Sequence, residues 1–138
     1  MIRVVFDTNV LLDIFWFKDA RVAEIARDLN RNIKWVVCHQ TAREFEGVLA
    51  RPLFLAEEMK AHDFASRALE GAEYFDQEIG LFPFCKDSED DKFFNLAIAC
   101  KAEFFITRDK LCLKARKKAA RAGFTVLTPE AFLAARPS

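Results

Sequence analysis

The sequence predicts an α/β fold with a parallel sheet covered by helices on both faces, and three observations carry that prediction. Short β-branched and aromatic runs alternate with segments of helical period from one end of the chain to the other. No repeat, linker or low-complexity stretch interrupts the alternation. The chain is 138 residues long, the commonest size for one domain, and a chain of this length buries about two-thirds of its surface on folding. A single domain over residues 1–138 is therefore expected. Parallel neighbours need crossover connections, and alternating strands and helices supply them.

Each element follows from local pattern. Ile2 to Phe6 is an apolar strand that ends in Asp7, and apolar residues then resume at helical spacing through residue 17. A second helix spans about 19–30, with Asp19 as its cap and Val22, Ala23, Ile25, Ala26 and Leu29 on one face. Ile33 to Val37 is a strand. Gln40 or Thr41 opens a helix that runs to Arg51 and is closed by Pro52. Residues 55–79 are polar and helical in period, with Gly71 as a break between two helices. Ile79 to Cys85 reads as an edge or irregular strand, because Gly80 and Pro83 weaken it. Ser88 heads a helix over about 89–102, Glu103 to Thr107 is a strand, and 109–122 is a basic helix ended by Gly123. Phe124 to Leu127 is the last strand. Thr128, Pro129 and Glu130 supply cap, first-position proline and first-turn acid for a helix reaching about Arg136.

Composition excludes several classes. The chain is 52% hydrophobic with 15 Phe, yet no apolar run approaches the ~20 residues of a membrane span, and a strand pattern occupies the place of a secretory signal. A soluble, cytoplasmic protein with no membrane partner is expected. Cys38, Cys85, Cys100 and Cys112 form no CxxC pair, which suggests buried reduced thiols rather than a zinc or redox motif. His39 and His62 read as structural. The formal net charge of zero conceals segregation: residues 57–91 hold eleven acids against three bases, and residues 108–121 hold seven bases against Asp109 alone.

The chemistry lies in the acids. Asp7 and Asp109 each follow a strand, where ligands of open parallel sheets bind. A glutamate in the helix after the second strand and an aspartate at the start of the helix near residue 90 complete a candidate set of four. Periodicity does not separate Glu44 from Glu46, nor Asp90 from Asp91. Each acid also has a plain structural use, as a helix cap or on a wet helix face. Four acids converging in one crevice need raised pKa values or a bound cation, and hard oxygen ligands suit magnesium or manganese.

Four motifs, in order, carry a family resemblance: Asp7-Thr8-Asn9-Val10-Leu11-Leu12; Glu44-Phe45-x-x-Val48-Leu49-x-Arg51-Pro52; Asp87-Ser88-Glu89-Asp90-Asp91-Lys92-Phe93; and Thr107-Arg108-Asp109. Together they resemble the PIN-domain nucleases, and Leu127 to Leu133 is similar to the ending of a VapC-like toxin subgroup. The resemblance implies a three-layer αβα sandwich with a central, mainly parallel sheet and the first strand at its middle. It also implies an acidic pocket of Asp7, Glu44, Asp91 and Asp109 that holds Mg2+ or Mn2+ and hydrolyses RNA phosphodiesters. On its alignment Glu44 and Asp91 are chosen over Glu46 and Asp90. Thr8, Asn9 and Thr107 would orient the carboxylates or the attacking water, with capping assigned to Thr8 or Asn9. The basic helix, through Lys114, Lys117, Lys118 and Arg121 together with Arg108, would gather RNA phosphates that the acids repel. A cognate antitoxin is the protein partner implied, and a homodimer is compatible. Two departures stand out: Arg108 where the subgroup has a small residue, and Asn95 where an acid is frequent. The competing readings are a PIN-like module that binds RNA or protein without cutting, and an aspartyl-phosphate phosphatase or receiver domain. The latter is disfavoured because Asn9 stands where the Asp-x-Asp of such phosphatases needs its second acid.

Overall fold

A computed structural model describes residues 1–51 and 58–136 of the chain. Its centre is β1 (Ile2–Phe6), which pairs in parallel with β2 (Ile33–Val37) on one side and with β4 (Phe104–Ile106) on the other. The short β3 (Glu73–Tyr74) extends the sheet beyond β2, and β5 (Thr125–Leu127) beyond β4. The order β3-β2-β1-β4-β5 is parallel throughout, as strands joined by helical crossovers must be.

The pleat divides the core in two. Val4 and Phe6 of β1 point to a layer with Ile33, Trp35 and Val37, packed by α1 (Thr8–Phe15), α2 (Ala23–Asp28), α3 (His39–Leu49), α4 (Glu58–Glu70) and α8 (Pro129–Ala135). Val5 points to the opposite layer with Val36, Phe105 and Val126, packed by α5 (Asp91–Ala99), α6 (Lys110–Lys114) and α7 (Arg116–Ala122). Val4, Val5 and Phe6 thus serve different layers in turn, which is why this buried part of β1 is continuously apolar rather than alternating. Aromatic rings fill the second layer: Phe93 stacks on Phe105 at 5.5 Å and Phe84 on Phe94 at 5.0 Å between centroids.

Several expectations are met at their ends. Asp19 caps a short 3-10 turn (Ala20–Val22) before α2 by accepting from the Arg21 N–H. Thr128 caps α8 through the Ala131 N–H, and Gly123, at φ 106°, ends α7. Other expectations are corrected. Gly71 follows a single helix rather than dividing two, and the chain then enters β3. The basic helix breaks at Ala115 into α6 and α7. The expected stop at Pro52, and the start of the acidic helix at 55, lie outside the described residues.

The main correction concerns residues 79–85, which form no strand. The backbone groups of Phe82, Phe84 and Cys85 are met by side chains of α5 instead. The Asn95 amide accepts from the Phe82 N–H at 3.0 Å and donates to the Phe82 carbonyl at 2.9 Å, imitating a strand neighbour. One Asp91 oxygen, Oδ1, accepts from the N–H groups of Phe84 (3.0 Å) and Cys85 (2.7 Å). Polar backbone must find partners somewhere, and here a helix face takes the place of a strand.

Candidate active site

The connection from β1 to α1, at the carboxyl end of the central strand, forms the floor of the site. Asp7 N–H continues the ladder by donating to the Ile106 carbonyl, and the Asp7 carbonyl accepts the first helical N–H groups of α1. Its side chain is 6% exposed and makes no capping bond. Asp7 Oδ2 instead accepts from the Thr107 hydroxyl at 2.6 Å, across the junction of β1 and β4. The same hydroxyl oxygen accepts from the Asp109 N–H at 3.0 Å, so the fully buried Thr107 ties the two strand-end aspartates together. Asp109 in turn caps α6, its Oδ1 accepting from Leu111 and Cys112 N–H groups.

Glu44 enters from α3. The helix buries Thr41, Ala42, Phe45, Val48 and Leu49, which leaves Glu44 half-buried at the edge of that stripe and Glu46 exposed. Tertiary context thereby separates two glutamates that periodicity left equivalent. The Thr8 hydroxyl donates to Glu44 Oε2, and Lys92 Nζ lies 2.6 Å from Oε1. Lys92 also donates to the Glu89 carbonyl at 2.9 Å. Lys92 received no role of its own from the sequence, although it is the one base between the acids at 87–91 and the buried phenylalanines. It lines a 590 Å³ groove with His39, Arg43, Phe82, Glu89 and Asp91, so the groove and Glu44 share a cation.

Asp90 and Asp91 have different surroundings. Asp91 faces the 84–85 backbone, whereas Asp90 is the residue on which Asp7, Asp109 and Glu44 act. Partial burial and then repulsion from Asp7, Asp109, Asp87 and Glu44 push the Asp90 carboxyl up to about 6. Burial, with Glu44 and Asp109 adding to it, also raises Asp7 against the opposing Thr107 hydrogen bond. A signal for Asp90 was present: it lies three, four and seven residues before the buried Phe93, Phe94 and Ala97, on their stripe, while Asp91 shares a stripe with Asn95.

Other expected site residues fall as follows. Thr8 hydrogen-bonds Glu44 rather than capping α1, Thr107 hydrogen-bonds Asp7, and Asn9 is exposed. Arg108 does not face solvent as a free phosphate-binding group: its guanidinium pairs with Asp13 of α1 (3.4 Å) and with Glu130 of α8. Glu130 is held below the usual carboxylate range by that partner. Lys114, Lys117, Lys118 and Arg121 are exposed, and Lys118 reaches the Pro83 carbonyl at 3.2 Å beside the loop that α5 anchors.

Carboxylate oxygens are hard donors of the kind divalent cations take, and a cation beside Asp7 and Asp90 would offset the burial and repulsion that raise both. The family model described as PIN domain matches residues 3–111. None of the curated proteins compared matches the chain.

Proposed function

The chain belongs to the PIN-domain family, a nuclease fold, and on that premise we propose that it is a Mg2+- or Mn2+-dependent endoribonuclease acting as the toxin of a toxin–antitoxin pair. The observation that supports the reading is the place beyond β1 and β4 where Asp7, Glu44 and Asp109 all bear on Asp90, which burial and these acids raise to about 6. Asp7, Glu44, Asp90 and Asp109 would hold the ion; Asp90 takes the place expected of Asp91, whose Oδ1 serves the loop. When bound, such an ion lowers the pKa of a water and stabilises charge on the phosphate under attack.

The chain's own groups do the rest. Thr107 aims Asp7 and is itself held by the Asp109 N–H, and Thr8 aims Glu44. Lys92 offsets part of the charge of Glu44. The exposed bases of α7 would draw the phosphate chain toward a crevice that otherwise repels it. The toxin assignment rests on the resemblance of the 127–133 ending, and its partner would be an antitoxin covering the crevice or the basic surface.

The test is cleavage of structured and single-stranded RNA with Mg2+, Mn2+ or chelator, by wild type, Asp7→Asn, Asp90→Asn and Asp91→Asn. Cleavage should need metal and fall roughly a hundredfold or more in Asp7→Asn and Asp90→Asn. Asp91→Asn, whose amide oxygen can still accept from Phe84 and Cys85, should keep most of its activity. Cleavage indifferent to chelator or to Asp7→Asn overturns the mechanism, and loss confined to Asp91→Asn returns the fourth place to Asp91.

A further inference from the structure

Beside the oxygen-lined crevice lies a second donor set of different chemistry. Cys85 comes from the loop clamped by α5, Asp90 from the 3-10 turn (Ser88–Asp90) that precedes α5, and Cys112 from α6. Both sulfurs and one Asp90 oxygen lie within 4.8 Å of one another. The cysteines are free, with their sulfurs 4.0 Å apart. A disulfide needs about 2.05 Å, whereas two thiolates on one tetrahedral zinc, with bonds of about 2.3 Å, sit about 3.8 Å apart. The two thiols meet in a hydrogen bond from Cys85 to Cys112, and a shared zinc would need them to close by only about 0.2 Å.

The placement is braced from both sides. Cys85 N–H is held by Asp91 Oδ1 at 2.7 Å, and Cys112 is locked in α6 with its N–H directed at Asp109 Oδ1. Cys112 is fully buried and Cys85 half-buried, so the site is reached from the Cys85 side. Two sulfurs and a single carboxylate select a thiophilic ion over magnesium or manganese.

We infer that Cys85, Cys112 and Asp90 form a site for a thiophilic divalent cation of the zinc class, with the fourth position left to water, and that filling it withdraws Asp90 from the acidic crevice. Each thiol gives its proton to solvent as its sulfur–metal bond forms, so no oxidant or reductant takes part. The inhibitory consequence rests on the nuclease reading above; the site itself does not.

The probe is Cd2+ added to chelator-stripped, reduced full-length protein, read by the ultraviolet sulfur-to-cadmium charge-transfer band. One equivalent should saturate the band, and excess Mg2+ should leave it in place. Cys85→Ser should weaken binding roughly tenfold or more, and Cys112→Ala, checked for fold by circular dichroism, should do likewise. Failure to saturate at one equivalent, or a band that survives both substitutions, overturns the site. Zinc should suppress Mn2+-supported cleavage by wild type and should do so less in Cys85→Ser, each measured against its own uninhibited rate. Equal suppression overturns the inhibitory part. If no form cleaves RNA, the nuclease reading fails while the cadmium band still decides the site.

Discussion

The charge of Asp90 is disfavoured by partial burial and by the acids Asp7, Asp109, Asp87 and Glu44. Its folded pKa of about 6 stands above the ordinary 3.8 because of partial burial first and then its acidic neighbours. In this direction the folded state holds the proton more tightly than the unfolded chain. The resulting stabilisation is complete below about pH 4 and is lost as pH rises through about 6. The metal-free protein should therefore show a Tm that declines across that window, with Asp7 adding in the same direction. Asp90→Asn should flatten the decline, as thermal melts in chelator at stepped pH will test. A wild-type slope unchanged by the substitution would mean that Asp90 does not face the other acids. The contrast with Asp91 is a matter of one residue and about 100° of helix turn. One side meets the sheet's carboxyl edge, and the other meets the loop.

The segment 79–85 and the helix α5 belong together as one element. Gly80 and Pro83 made a strand weak on sequence grounds, and the structure shows what replaces the missing ladder: Asn95 and Asp91 supply the partners that a neighbouring strand would. This also explains the Asn95 departure from the family pattern. A carboxylate there could accept from the Phe82 N–H but could not donate to the Phe82 carbonyl, and an amide does both. Asn95→Leu should lower stability by about 1–3 kcal/mol and Tm by roughly 3–12 °C, because the amide's two hydrogen bonds to Phe82 and its one to the Asp91 carbonyl are lost at a buried position. Hydrogen exchange should quicken at Phe82 while the β1 amides keep their protection. Uniform loss of protection would mean that the clamp is part of the global core rather than a local device.

At the scale of the whole molecule, a net charge of zero is divided into opposed surfaces. The acids gather where β1 and β4 end, and the exposed bases gather on α7, whose Lys118 touches the Pro83 carbonyl next to the clamped loop. The break at Ala115 takes Lys114 out of a continuous stripe with Lys117, Lys118 and Arg121, so the predicted phosphate surface narrows to α7. Reversing Lys117 and Lys118 to Glu should weaken RNA binding and lower the slope of log affinity against log salt by about 1–2. Metal affinity should stay the same. An unchanged slope would make these lysines a solvated face and nothing more.

The central place of β1 was implied by the family resemblance, while the sequence by itself determined the layered α/β fold and Asp7 and Asp109 as strand-end acids. These follow from local pattern, since apolar runs, caps and helix stops act within a few residues of themselves. Tertiary structure decided what depends on distant partners. It separated Glu44 from Glu46 and turned Asp90, not Asp91, toward the other acids. It diverted Arg108 to Asp13 and Glu130, placed Cys85 against Cys112, and replaced a third long strand by β3 and a side-chain clamp. Which face of a helix meets which strand end is settled only when the layers pack, and no periodicity within a single segment contains that choice.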